Sequence, residues 1–361
     1  MKNAGLRLWE AQKHQGTGLC IGLDPHYTPD GELNADFYMN FSGAQTDEMR
    51  TLFAGLGTPA KKSTDFLAGV ASYFLSVIDA AWQTGIRVYK PQAAFYERFG
   101  SYGLVVLEIL CRDLHERAEK SSEPIFLILD AKRGDIESTQ LPYYDAYLSS
   151  SDREVFPGMT GRYGFDTMTV TTWLGADVLT PGLPFFRDGK GAIVVTRSSN
   201  PSGQELQELT IESGATANAV ALILGRKPTA HEVMLHLTEQ FSEKNGLNVD
   251  GVSPLFSVVG STVKMTDSFR TLRPQGIALV PGFGAQGGTF DNVMPLYIQE
   301  GPLAGHVGIL SSSREFSFPW MTKSGGAGDP KNLKGEMQRA VENFKSQEKE
   351  AYLKAGLVYP F

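Results

Sequence analysis

The sequence predicts an α/β fold, a (β/α)8 TIM barrel with insertions after its first and fifth strands, and three observations lead there. Eight short runs rich in Val, Ile and Leu recur along the 361 residues. Most are unbroken rather than alternating, as parallel strands covered on both faces require. Segments with helical spacing lie between several runs, and each parallel crossover needs such a connection. Polar residues collect where the runs end, on the face of a barrel that carries chemistry. An open doubly wound sheet is the alternative, but no GxGxxG follows the first run to support dinucleotide binding.

The segment MKNAGLRLWEAQKHQ is amphipathic and lacks the apolar core of a signal peptide. The first strand is LCIGLD (19–24), and the stretch 25–62, rich in Gly, Pro and Asp, exceeds an ordinary loop and reads as an insertion. STDFLAGVASYFLSVIDAAW then reads as a helix capped by Ser63, Thr64 or Asp65, with Phe66, Val70, Phe74, Val77, Ile78 and Ala81 on one face. RVYKPQ (87–92) is the second strand, and a helix over 102–117 aligns Leu104, Leu107, Leu110 and Leu114. PIFLILDAK (124–132), TMTVTTW (167–173) and AIVVTRSS (192–199) are the third to fifth strands. A second insertion, 200–254, carries helices around 217–224 and 231–244. LFSVVGST (255–262), IALVPGFG (277–284) and HVGILSSS (306–313) complete the eight. KSGGAGDP (323–330) reads as a glycine-rich connection, and KNLKGEMQRAVENFKSQEKEAYLKAG as a closing, largely exposed helix. A single barrel domain over 1–361 is expected.

Composition narrows the function classes. With 42% hydrophobic and 20% charged residues the chain has enough apolar material for a large core. The formal net charge of −7 and the lack of a Lys/Arg block predict no nucleic-acid partner. Cys20 and Cys111 have no metal-ligating neighbours in sequence and read as core residues rather than a disulfide. No stretch reaches the roughly 18 uncharged apolar residues of a membrane span. No membrane association is expected, and the expected location is the cytoplasm. The six histidines are scattered, and His231 and His236 are off the i, i+4 spacing of a helical metal site.

The polar strand ends are Asp24, Lys90, Asp130 with Lys132, and Thr171, followed by Gln286 after the seventh strand and Arg314 after the eighth. Each alone is an ordinary surface or capping residue; converging from six strands they mark a site. Asp130 and Lys132 are two apart and share a side of an extended strand, and a tight turn at Gly134 brings Asp135 back towards them. Lys90 completes an alternating Asp/Lys array in which carboxylates keep the lysines protonated. A purely structural buried ion-pair network is the competing explanation. PGFGAQGG (281–288) offers unobstructed backbone N–H groups, among them those of Gln286, Gly287 and Gly288, and a helical start after Thr289 adds a positive dipole end. With the guanidinium of Arg314 one strand later, this is a phosphate cradle.

These pieces together resemble the orotidine 5′-phosphate decarboxylase family, in particular its longer bacterial branch. The carrying motifs are GLDP (22–25), YKPQ with Phe95, LDAKRGDIEST (129–139), TVTTWLG (169–175), RSSNPSG (197–203), VGST (259–262), PGFGAQGG and SSSR (311–314). They stand in family order over most of the chain. DxKxxD alone also occurs in related metal-dependent sugar-phosphate decarboxylases. The resemblance implies a homodimer that converts orotidine 5′-monophosphate into UMP and CO2 without metal or organic cofactor. By resemblance Lys132 protonates C6, Asp130 lies beside the departing carboxylate, Lys90 links the charges to the ribose and Asp24 binds a ribose hydroxyl. Asp135 and Thr139 would enter the neighbouring subunit's site, Asp135 to complete the charge array and Thr139 to meet the ribose. Gln286 would bridge pyrimidine and phosphate, Arg314 would grip the phosphate, and Thr171 would face the pyrimidine edge. Thr171 and Thr172 stand where that branch usually has Asn-Pro, and Glu137 replaces its usual small residue. A metal-dependent sugar-phosphate decarboxylase or aldolase on the same barrel, and an inactive nucleotide-binding barrel, are the alternatives.

Overall fold

The structure is a computed structural model that describes residues 2–28, 30–43, 45–57, 60–260, 268–283, 288–321 and 330–361. Eight parallel strands close into a barrel: β1 (Leu19–Gly22), β2 (Val88–Lys90), β3 (Phe126–Arg133), β4 (Thr167–Val170), β5 (Gly191–Arg197), β6 (Leu255–Val259), β7 (Ala278–Pro281) and β8 (Ile309–Ser312). Each pairs with its sequence neighbours, and β1 pairs with β8 to complete the circle. All eight coincide with the apolar runs, because a strand covered by the barrel interior on one face and by helices on the other must be apolar throughout.

The interior is layered. Cys20, Val88, Phe126, Ile128, Ile193, Phe256, Val258, Leu279 and Ile309 form one fully buried cluster with Ala4, Leu8, Trp9 and Ala11 of the N-terminal helix Ala4–Gln15. That amphipathic helix therefore floors the barrel. Arg7 ties it down through the buried Asp166, which also pairs with Lys190 and accepts from the Leu127 amide. Both cysteines are buried and free; burial in the barrel interior pushes the Cys20 thiol up to about 12.

Several elements depart from the sequence expectation. The helix Lys61–Gln83 starts before Ser63, at Ala60, whose side chain makes no cap. Val70, Phe74, Val77, Ile78 and Ala81 are buried as expected, but so are Leu67, Ala71, Tyr73 and Leu75. The reason is that the stretch after β1 folds into two helices, Ala35–Met39 and Thr46–Gly55, which pack on this helix together with the C-terminal one. By length and composition alone Lys61–Gln83 would pass for a membrane span; 78% of its apolar window is buried inside the fold. The C-terminal helix Leu333–Lys354 is not largely exposed: Leu333, Met337, Val341, Phe344, Ala351 and Tyr352 are buried along one stripe. The second insertion carries the expected helices, Ala215–Leu224 and Ala230–Lys244, the latter opened by a Thr229/Glu232 capping box. A small hairpin, Glu154–Phe156 with Met159–Thr160, precedes β4 and has no counterpart in the sequence reading. KSGGAGDP lies outside the described residues except for Pro330.

Candidate active site

The residues that continue the inward-facing positions beyond the apolar layer are polar. Lys90 follows Val88, and Asp130 follows Ile128, each two residues further along its strand. The Asp130 carboxylate is the hub: one oxygen lies 2.5 Å from Lys132 Nζ, the other 3.5 Å from Lys90 Nζ. The Thr169 hydroxyl donates to the first oxygen at 2.9 Å. Burial on its own would raise the Asp130 pKa; the two ammonium groups and the hydrogen bonds outweigh it and hold the carboxyl below its ordinary range. Burial would likewise strip Lys90 of its proton, but Asp130, then Asp24 and Cys20, reverse the effect and raise its pKa. Both groups are charged at neutral pH.

The two lysines differ in access. The Lys90 side chain is 6% exposed and that of Lys132 is 50% exposed. The contact between Lys132 and Asp130 is not that of a regular strand, for Lys132 has φ +48° and the β3–β4 ladder shifts register between Leu129 and Arg133. A left-handed non-glycine residue of this kind costs of order 1–3 kcal/mol and persists only where its surroundings fix it. Here the Ala131 and Lys132 amides both donate to Thr169 Oγ1, at 2.9 and 2.8 Å. The left-handed residue of the turn is thus Lys132, not Gly134. Gly134 is needed for close approach instead: a Cβ there would lie 2.3 Å from the Thr171 carbonyl oxygen.

Asp24 is buried just beyond β1, accepting from the Gln92 amide at 2.9 Å and from the Ser313 hydroxyl. Ser313 reaches it because Gly22 carries no side chain, whose Cβ would stand 2.5 Å from Ser313. Arg314 follows, exposed, with no ion pair to its guanidinium among the described residues. It is close enough to His26 to help lower that imidazole's pKa, though burial does more. His26 in turn packs edge-on against Phe95, with ring centroids 4.6 Å apart. Asp24, Lys90, Asp130 and Lys132 are therefore brought together, with Arg314 at the β8 end of the same face.

Other expected residues stand apart. Asp135 is half-buried but does not complete the array within this chain: its carboxylate accepts from the Ile136 amide at 2.8 Å. Thr139 is exposed on the first turns of helix Glu137–Leu148, as is Glu137. Thr171 lies one residue beyond β4, half-buried over Gly134. Gln286 and Gly287 lie outside the described residues. Gly288 is described; its amide donates to the Gly282 carbonyl at 3.2 Å and so faces the backbone rather than a ligand. The expected helical start after Thr289 is a single 3-10 turn, Phe290–Asn292, too short for an appreciable helix dipole. Sequence reasoning missed Thr169, Ser313 and Gln92, which hold the carboxylates of Asp130 and Asp24. A signal existed for Thr169, which is two residues before Thr171 and thus on the same side of the strand.

Comparison with known proteins decides the family. Residues 17–301 match the family described as orotidine 5′-phosphate decarboxylase / HUMPS. The chain belongs to this family. An orotidine 5′-phosphate decarboxylase of Rhodopirellula baltica is 33% identical over 262 residues, covering 72% of this chain and 76% of the relative. One from a Nocardioides species is 33% identical over 294 residues, covering 81% of this chain and 85% of the relative. The crystal structure of Plasmodium berghei orotidine 5′-monophosphate decarboxylase superposes with a TM-score of 0.67, at 17% identity, over 98% of this chain and 99% of that one. That likeness bears on the fold, a TIM barrel in both.

Proposed function

We propose that the protein decarboxylates orotidine 5′-monophosphate to UMP and CO2, the last step of UMP synthesis, with Lys132 as the proton donor to C6. The observation that carries this reading is the half-exposed Lys132 ammonium held 2.5 Å from a buried, ionised Asp130, in a chain whose 33%-identical relatives carry that activity. Loss of CO2 from C6 leaves a carbanion without ready delocalisation. Its formation requires a cation fixed where the negative charge develops and a proton available to quench it. Lys132 supplies both. Asp130 keeps Lys132 in place, and Lys90, buried behind, keeps Asp130 ionised. Asp24, with both oxygens already oriented by Gln92 and Ser313, is suited to accept from a ribose hydroxyl. The exposed guanidinium of Arg314, unpaired among the described residues, is suited to a bidentate grip on the phosphate. Gln286, with Gly287, is assigned to the same end of the nucleotide, and Thr171 to the pyrimidine edge. Remote binding of the phosphate then organises the reacting end.

The working unit in this reading is a homodimer. Asp135 bonds the Ile136 amide rather than this chain's own array, Thr139 is exposed, and four large apolar side chains in the adjoining segments are exposed: Ile136, Leu141, Trp173 and Leu174. A partner barrel covering that patch would receive Asp135 beside its own lysines and Thr139 beside its ribose. The reaction calls for no cofactor, since lysine provides both charge and proton; a cytoplasmic location is part of the proposal.

The deciding measurement is the fall in orotidine monophosphate absorbance with purified, EDTA-treated protein. Turnover at an undiminished rate supports the proposal; activity that requires added Mg²⁺, or appears only with a sugar phosphate, overturns it. The shared site is tested by co-expressing Lys132→Ala with Asp135→Ala. Each mixed dimer then has one site with both changes and one with neither. With half of the dimers mixed, about a quarter of wild-type activity per site should return, whereas verified heterodimers as inactive as their parents would refute the exchange of Asp135.

A further inference from the structure

We propose that Thr169 is a positioning residue for the decarboxylation, its hydroxyl holding Lys132 in the left-handed turn and fixing the carboxylate that holds the Lys132 ammonium. The inference rests on the reading of Lys132 as proton donor and goes beyond it. A threonine hydroxyl has one hydrogen to give and two lone pairs to receive with. In this site all three are used. Thr169 Oγ1 accepts from the Ala131 amide at 2.9 Å and from the Lys132 amide at 2.8 Å, and donates to Asp130 Oδ1 at 2.9 Å.

The arrangement follows from the break in the strand ladder. Between Leu129 and Arg133 the pairing of β3 with β4 shifts; the Asp130 amide keeps a backbone acceptor in Pro91, whereas the Ala131 and Lys132 amides turn to a side chain. Buried amides without acceptors are costly. A single oxygen on β4 replaces the missing carbonyls, and Thr169 is itself fully buried, fixed at the stiff χ1 of a β-branched side chain. The oxygen that accepts the Thr169 proton is also the one 2.5 Å from Lys132 Nζ. One hydroxyl thus anchors both ends of Lys132: its main chain directly, and its ammonium through Asp130. Without it, the main chain at residue 132, which has φ +48°, loses the one side-chain acceptor described for its amide. The ammonium would then relax away from its place over the barrel mouth.

The test uses full-length Thr169→Val, which keeps the shape and removes the hydroxyl, and Thr169→Ser, which keeps the hydroxyl and removes the methyl. In folded Thr169→Val, kcat for orotidine monophosphate should fall roughly a hundredfold, the size expected of a displacement of about 1 Å at a reacting group. Exchange of the C6 proton of UMP with deuterated water should fall with it, while the dissociation constant for UMP stays within about threefold. The acid limb of the kcat profile should move to higher pH, because the bond from Thr169 favours the ionised form of Asp130. Thr169→Ser should restore kcat to within a few-fold of wild type. If Thr169→Val does not fold, Thr169→Ala, where a water can serve the two amides in part, should fall between the two.

Wild-type kcat and exchange in folded Thr169→Val or Thr169→Ala would overturn the proposal. So would a Thr169→Ser as slow as Thr169→Val, since the methyl group and not the hydroxyl would then matter. Lys132→Ala is measured alongside. If it retains C6 exchange, the reading of Lys132 fails and this proposal with it; if it is inactive while Thr169→Val is not, Thr169 alone is wrongly assigned.

Discussion

Replacing Asp130 by Asn should destabilise the fold and do so in a pH window set by two groups. The substitution keeps the volume and removes the charge that pairs with Lys90 at 3.5 Å, where the side chains are 12% and 6% exposed. Breaking a buried pair from one side costs about 3–5 kcal/mol, because the remaining charge is left uncompensated. The contact with Lys132 adds little to this figure, since that lysine is half exposed and solvent screens it. A total stability of about 5–15 kcal/mol leaves the variant folded, but only just in the lower part of that range. In the wild type the folded Asp130 pKa lies below its ordinary value of 3.8, so its contribution is present above that value and is lost as pH falls through the folded pKa. Lys90 in the wild type has a folded pKa above 10.5 and contributes below that value, the contribution being lost as pH rises through the folded pKa. In Asp130→Asn the desolvation of Lys90 loses its largest offset and keeps the smaller one from Asp24, so its folded pKa drops, and the penalty is relieved as pH rises towards and past it. The difference between the two proteins should therefore be widest near neutral pH and narrow towards both acid and alkali. Urea denaturation at several pH values, with slopes checked for equality, measures it. A difference below about 1 kcal/mol at pH 7, or one independent of pH, would mean that Asp130 and Lys90 are not the coupled buried pair described.

Lys132→Ala should abolish decarboxylation and C6 proton exchange while leaving UMP binding measurable by calorimetry; retained exchange would remove Lys132 from the role of proton donor. Arg314→Ala should lower kcat/KM for orotidine monophosphate roughly 10- to 150-fold, the worth of a charged hydrogen bond of about 1.5–3 kcal/mol, and leave the phosphate-free nucleoside unchanged. Equal losses on both substrates would show that Arg314 does not read phosphate. Gly134→Ala puts a Cβ 2.3 Å from the Thr171 carbonyl oxygen, so the thermal midpoint should fall by an amount corresponding to about 1–3 kcal/mol, with loss of activity. An unchanged melting curve would refute the close approach.

The barrel strands were legible because burial on both faces writes itself as uninterrupted Val, Ile and Leu. The hairpin Glu154–Phe156 with Met159–Thr160 was not, since two- and three-residue strands carry no periodicity to detect. The depth of Lys61–Gln83 is hidden for a different reason: its second covering layer comes from the 25–62 insertion, whose Gly, Pro and Asp give no helical periodicity, although Asn34 caps a short helix there. That Asp130, Lys132, Lys90 and Asp24 come together was legible from the convergence of polar residues at successive strand ends. The way Lys132 meets Asp130 was not. Parity along an extended strand predicts a contact on the same side, and the contact exists, but through a left-handed residue and a register shift that no composition rule signals. Asp135 is the converse case: adjacent in sequence, it turns its carboxylate to its own helix start.

The register shift also explains how one carboxylate can serve two lysines with different roles. Had β3 continued regularly through residue 132, Lys132 would have followed Asp130 on the inward side, adding a second ammonium to the interior that already holds Lys90. A second ammonium held in the interior would have to be stripped of its water as well, at a cost of several kcal/mol. Turning Lys132 into the left-handed region lifts its side chain to 50% exposure while its Nζ stays on Asp130. The inner lysine then acts to keep Asp130 ionised, and the outer one is presented where an entering molecule can meet it. The strain of one residue and the loss of two strand hydrogen bonds are offset locally by a single threonine hydroxyl. An ion-pair network built only for stability would have no need of this arrangement, since a regular strand with a neutral residue at position 132 would satisfy the Asp130–Lys90 pair at lower cost. The accessible lysine is the part of the network that stability does not explain, and it is the part that the proposed chemistry requires.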